Sequence, residues 1–181
     1  IPATGGPPSQ VVKYGAANAA LKVNCVAVDS ASRVIIGGTV QAANQGDIIS
    51  NITYWGSSHA NDGFLAKLDN YLSIIAPTTI VYSGESPGTN IYIRSMIIDH
   101  DDYLTTVGSY TGGPIFSPIV TLNTGNTDTI VFRHQADTMT EQWHAEFGGA
   151  GATVLPSIIT ADANSVFVGG TIDADAMGMA R

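Results

Sequence analysis

Gly84-Glu85-Ser86-Pro87-Gly88 has the spacing of a nucleophile elbow, in which a serine is thrust forward between two glycines. The elbow needs a strand before the serine, a helix after it, and an oxyanion donor from the backbone N–H of the next residue. Pro87 has no N–H, and Thr89 to Ile98 reads as a strand, so the motif is a turn and carries no catalysis. The acidic run Asp99-His100-Asp101-Asp102 suggests calcium, but Tyr103 stands where a calcium loop needs its sharp-turning glycine. Aspartates there are explained by side-chain bonds to the backbone of a turn. His59, His100, His134 and His144 have no metal-ligand spacing. Gly148-Gly149-Ala150-Gly151 lacks the Lys-Ser/Thr of a phosphate loop. The reading is of a non-enzyme with no cofactor and no metal. What remains is a set of aromatics with polar neighbours, Tyr54, Trp55, Tyr110 and Phe116, which could stack on a sugar ring or a partner protein.

The elements that would carry these residues recur. Val26 to Thr39, Met96 to Ser109 and Ile158 to Thr171 each hold an apolar run, a polar turn, a second apolar run, and a Gly before Ser or Thr. That is a hairpin signature. The terminal glycines Gly38, Gly108 and Gly170 are 70 and 62 residues apart. Asp62-Gly-Phe-Leu-Ala-Lys-Leu68 returns as Asp128-Thr-Ile-Val-Phe-Arg-His134, 66 residues later. Tyr14-Gly15, Tyr82-Ser83-Gly84 and Phe147-Gly148-Gly149 keep nearly the same step, with their aromatics 68 and 65 residues apart. Three motifs in one order and one period of about 66 residues predict a repeat. Each period would hold four strands: two hairpin arms, the Asp-initiated strand, and the strand ending in aromatic-Gly. The expected fold is all-β, built from four-stranded antiparallel β-propeller blades, with a β-sandwich of two similar halves as the alternative.

The same residues resemble a known family. A hairpin with Asp and a terminal Gly (Val28 to Gly38), the strand Asp62 to Asp69 and the corner Tyr82 to Gly84 look like the bacterial seven-bladed propeller-type repeat. The second copy departs from the pattern, with Arg133 for Lys and no final Asp, and Ala161 replaces the hairpin Asp in the third. The resemblance covers the chain from about Gln10 onwards and implies a propeller in an extracellular or cell-surface setting.

Composition agrees with strands and turns. The chain has 181 residues, of which 44% are hydrophobic, only 12% are charged and 20 are glycine. Lys and Arg total 7 against 15 Asp and Glu, a formal charge of -8, which excludes nucleic acid as a partner because phosphate binding needs clustered cations. No apolar run approaches the ~20 residues of a membrane helix, so no membrane insertion is expected. The single cysteine, Cys25, lies in a strand-like run and reads as a small buried residue. Trp143 and Phe147 read as core between blades. Asn51-Ile52-Thr53 is a glycosylation sequon in a pathway that uses it.

Residues 1–9 read as an extended linker or arm, and 10–181 as the repeat region. Long inserts at Gln41 to Asn61 and Tyr110 to Thr127 fall at matching places and carry the four aromatics named above. At this period the chain holds about two and a half blades, too few to close a propeller alone. The expected partners are therefore the remainder of a longer chain or further copies of itself, with a glycan as a further candidate. The expected function is a non-catalytic surface or secreted scaffold, the alternative a carbohydrate-binding propeller that uses the insert aromatics.

Overall fold

A computed structural model describes residues 14, 19–42, 44, 48–49, 52–53, 60–69, 71–75, 79–83, 88–112, 115–116, 119–120, 127–148, 153–161 and 165–173. Among these residues the architecture is all-β and antiparallel, with no helix. In the first sheet, β1 (Ala19–Val28), β2 (Val34–Ala42), β5 (Asp62–Lys67) and β6 (Ile80–Tyr82) lie side by side in chain order. β7 (Asn90–Ile98), β8 (Tyr103–Thr111), β11 (Thr127–Gln135) and β12 (Glu141–Phe147) form the second in the same order. A third sheet consists of β13 (Val154–Ala161) and β14 (Val166–Ile172). Between the second and third strands of each four-stranded sheet sits a short hairpin. The first pairs β3 (Ile48–Ile49) with β4 (Ile52–Thr53), the second β9 (Ile115–Phe116) with β10 (Ile119–Val120).

One irregularity recurs in all three sheets. In β1–β2 the register passes from Val23↔Gly38 to Cys25↔Gly37, leaving Asn24 over as a bulge. In β7–β8 it passes from Ile93↔Gly108 to Ser95↔Val107, leaving Arg94. In β13–β14 it passes from Pro156↔Gly170 to Ile158↔Gly169, leaving Ser157. A bulge kinks its strand and drives a carbonyl toward the facing residue. A Cβ on Gly38 would lie 1.9 Å from the Lys22 carbonyl oxygen, one on Gly108 2.6 Å from that of Tyr92, and one on Gly170 2.2 Å from that of Leu155. Only glycine fits opposite such a carbonyl. Pro156 is tolerated inside a strand because it adjoins the bulge, where the ladder is already interrupted.

The hairpin tips share a second device. Ser32 and Leu72 donate their N–H groups to the carbonyls of Asp29 and Asp69, closing β-turns, and Asp102 does the same to Asp99. The residue after each turn core has positive φ, 63° at Ser32, 59° at Leu72 and 60° at Asp102. This is the turn-plus-left-handed-residue geometry of a three-residue hairpin loop. The aspartate at each corner accepts further backbone N–H groups: Asp29 from Arg33, Asp69 from Tyr71 and Ser73, Asp99 from Asp101 and Tyr103.

Alternation along the strands gives each sheet two apolar faces, and the sheets stack. β7 lies across β1, β2 and β5, and β13 lies across β7, β8 and β11. At the first interface Ile35 and Leu65 meet Ile91, Ile93, Met96, Leu104, Ile130 and Phe132, with Cys25 and Ala27 packed at the margin. Glycines in the first sheet are sockets for the second. A Cβ on Gly37 would lie 2.5 Å from the Met96 terminal methyl, and one on Gly63 2.9 Å from Ile91 Cγ2. Val107, Val131 and Ile159 form the second interface, with Ile97 and Val166 beside them. On its other face, the first sheet buries Ile36, Val40, Phe64 and Ala66 together with Ile52, while Tyr14 packs against them.

Candidate functional site

Strand order puts the β1–β2, β5–β6, β7–β8 and β11–β12 turns at one end of the stack. Three of them are bonded to one another there. Arg33 places Nε 2.7 Å from Asp29 Oδ2 in its own turn and Nη1 2.5 Å from Asp137 Oδ1 in the turn of the second sheet. Lys67, the last residue of β5, is buried and donates from Nζ to the Asp137 carbonyl, with Asp137 Oδ1 3.9 Å away. Ser30 donates through both its backbone N–H and its hydroxyl to the Asp102 carboxylate. The Ala136 N–H donates 2.9 Å to the Asp102 carbonyl, tying the two turns of the second sheet together. Within that sheet Arg133 pairs with the buried carboxylate of Asp99 at 2.5 Å and lies 4.5 Å over the Tyr103 ring.

These charges shift one another as their contacts require. Bonds to Asp137 and then Asp29 raise the Arg33 guanidinium above its ordinary value. Burial, followed by repulsion from Arg33, lowers the Lys67 ammonium. The two Ser30 bonds lower the Asp102 carboxyl. Each group is already occupied by a neighbour, so the arrangement clamps two sheets together.

A second polar contact lies inside the stack. Tyr82, at the end of β6, stacks on Phe132 of β11 at 4.2 Å, and its hydroxyl sits 2.9 Å from His134 Nε2. Burial raises the Tyr82 phenol and lowers the His134 imidazole to about 4, so the pair is neutral near pH 7. Asn24, the bulged residue of β1, donates 2.7 Å to the Ile93 carbonyl of β7. Thr129 of β11 donates 2.9 Å to the Val154 carbonyl of β13. Asp128 is buried with its carboxylate pressed on the corner glycine, since a Cβ on Gly148 would fall 1.8 Å from Asp128 Oδ1. Cys25 is half-buried against the first interface, where burial pushes its thiol up to about 12, so it is not a nucleophile near neutral pH.

The aromatics singled out for ligand contact do not come together among the described residues. Tyr54 and Trp55 lie outside those residues, as do Glu85, Ser86 and Pro87 of the elbow-like motif. Phe116 ends β9, and its side chain also lies outside the description. Tyr110 corrects the expectation of an exposed insert aromatic. It is 1% exposed and donates its hydroxyl 3.2 Å to Glu146 Oε2. The reason is that β8 continues to Thr111, so Tyr110 obeys strand alternation and points into the first interface. Trp143 and Phe147 are corrected in the other direction, at 39% and 45% exposed. β13 crosses β7, β8 and β11, and the outer strand β12 extends past that cover.

No group of three or more His, Cys, Asp or Glu side chains among the described residues is arranged to hold a metal ion. Sequence reasoning did not find the Arg33–Asp137–Lys67 bridge or the Tyr82–His134 pair. Lys67 and Arg133, two of the 7 Lys and Arg, stand at matched positions of the repeat, which marks the charged turn end but not the Tyr82–His134 pair. No protein-family model and no curated protein matches the chain.

Proposed function

We propose that the chain is a non-catalytic scaffold, a propeller-type segment of stacked sheets that serves as a surface or secreted interaction platform. One observation carries the reading: the charged side chains at the turn end of the stack, and two polar side chains between the sheets, hold turns and neighbouring sheets. Asp29 and Asp99 organise hairpins, Arg33 and Lys67 bridge to Asp137, and Asn24 and Thr129 donate to carbonyls of the next sheet. The bulge shared by three hairpins and the sheet-on-sheet step taken twice support propeller-type stacking over a two-layer sandwich. A composition rich in Gly, Thr and Asn and poor in Lys supports the extracellular setting, as does the resemblance to the bacterial propeller-type repeat.

Protease shaving of intact source cells tests this. The scaffold reading expects the protein to be cleaved from the surface, or found in the medium, while cytosolic markers stay intact. Complete protection until lysis overturns the surface assignment. Saturable binding on a glycan array that Trp55→Ala abolishes overturns the scaffold in favour of a carbohydrate-binding domain.

A further inference from the structure

Each bulge sets one residue out of the ladder on the first strand of its sheet, and the three residues differ in what they do. Asn24 donates to the Ile93 carbonyl of the next sheet, and Ser157 donates 3.3 Å to the Gly169 carbonyl of its own. Both end on backbone. Arg94 is exposed, and only its Nε is engaged, 3.1 Å from Ser109 Oγ. Ser109 is itself buried, which anchors the side chain, and the guanidinium carbon lies 5.0 Å over the Tyr92 ring. Among the described residues, neither terminal nitrogen of Arg94 has an acceptor and no carboxylate pairs with it. β7 lies between β1 and β13, so the guanidinium is open although both neighbouring sheets are present.

The other described Lys and Arg side chains sort into two sets. Arg33, Lys67 and Arg133 each approach a carboxylate at the turn end. Lys22, exposed on β1 two residues before Asn24, pairs with none among the described residues. Positive charge without a counter-ion is therefore confined to the neighbouring strands β1 and β7. Polar groups extend the site along β7. Asn61 Nδ2 donates 2.7 Å to Asn90 Oδ1 and 3.2 Å to the Tyr92 hydroxyl. Tyr92 accepts there, which leaves its own O–H to donate, and Asn61 Oδ1 remains as an acceptor.

A guanidinium held at its Nε and backed by an aromatic ring has lost its freedom before any ligand arrives, and its open edge matches the two oxygens of a carboxylate. The hydroxyl donor and amide acceptor beside it match the hydroxyl groups of a sugar. The formal charge of -8 opposes a multiply charged ligand. We infer that Arg94, Tyr92 and Asn61 bind a sugar acid, its carboxylate on the Arg94 guanidinium and its hydroxyls on Tyr92 and Asn61. Lys22 adds to the positive potential. The site goes beyond the scaffold reading and does not rest on it, since β1, β7 and β8 form it whatever else the platform holds.

Titration of the whole chain with sodium D-glucuronate at fixed ionic strength tests it, followed by NMR at the Arg94 Nε–H and the Tyr92 ring. Both signals should shift and saturate. Arg94→Gln should weaken binding about tenfold or more, the loss expected when a charge-assisted bond is removed, with β7 and β8 amide protection unchanged. Arg94→Lys keeps the charge without the flat fork, so it should weaken binding by a smaller factor and decides the matter if the glutamine variant loses protection. Acetate and glucose each carry half of the ligand and should bind at least about tenfold more weakly than glucuronate. Absence of saturable shifts overturns the site, as does wild-type affinity in both variants. Acetate binding as tightly as glucuronate overturns the sugar acid. Inorganic phosphate doing so reduces the site to an adventitious ion only, which overturns it too.

Discussion

At the scale of single residues, the recurring glycine is a steric requirement of a recurring bulge. An alanine at position 38 or 108 would place its methyl 1.9 Å or 2.6 Å from a backbone carbonyl oxygen, and backbone cannot swing away as a side-chain tip can. Gly38→Ala should therefore destabilise by about 3 kcal/mol, near the upper end for overpacking, and Gly108→Ala by less. Urea unfolding midpoints check both, and equal losses would count against the steric cause. His134 sets a pH dependence. Burial holds its folded-state value at about 4, below the ordinary 6.5, so the folded protein takes up the proton later than the unfolded chain does. The stabilisation is present in full above pH 6.5 and is lost as pH falls toward 4, by about 3 kcal/mol in all. His134→Gln should flatten thermal stability across that window. An unchanged slope would assign the acid sensitivity to other groups.

The hairpin is the element that the sequence shows best. Its corner aspartates, left-handed fourth residues and terminal glycines are local signals that act within a few residues of one another. Asp99 joins this local work to a longer contact, accepting from the Asp101 and Tyr103 N–H groups while pairing with Arg133 across the sheet. Asp99→Ala removes both functions and strands a largely buried guanidinium, at a cost of about 3 kcal/mol or more. Asp99→Asn keeps the acceptor for the turn and should cost about half as much. Chemical denaturation distinguishes them, and equal losses would mean that the turn contributes nothing beyond the ion pair. Less legible were the places where elements end. Tyr110 reads as a loop aromatic at the start of an insert, whereas continuation of β8 to Thr111 buries it. Trp143 and Phe147 follow strand alternation as expected, but their exposure depends on how far the next sheet reaches, which no local pattern encodes.

For the molecule as a whole, the four strands of each large sheet and their order are readable because hydrophobic alternation and turn residues fix them locally, whereas the short hairpins β3–β4 and β9–β10 fall in stretches that read as inserts. The contacts that join sheets are not readable. Arg33 meets Asp137 across 104 residues of sequence, and Tyr82 meets His134 across 52. Such partners become neighbours only after the sheets have stacked. Stacking, one step taken twice along the chain, is what joins the sheets. Methyl-resolved NMR tests it most directly through two sets of contacts. Stacked sheets should give cross-relaxation from the Met96 methyl to Gly37 and Leu65, and from the Ile159 methyls to Val107 and Val131. Contacts confined to residues within each sheet would contradict it.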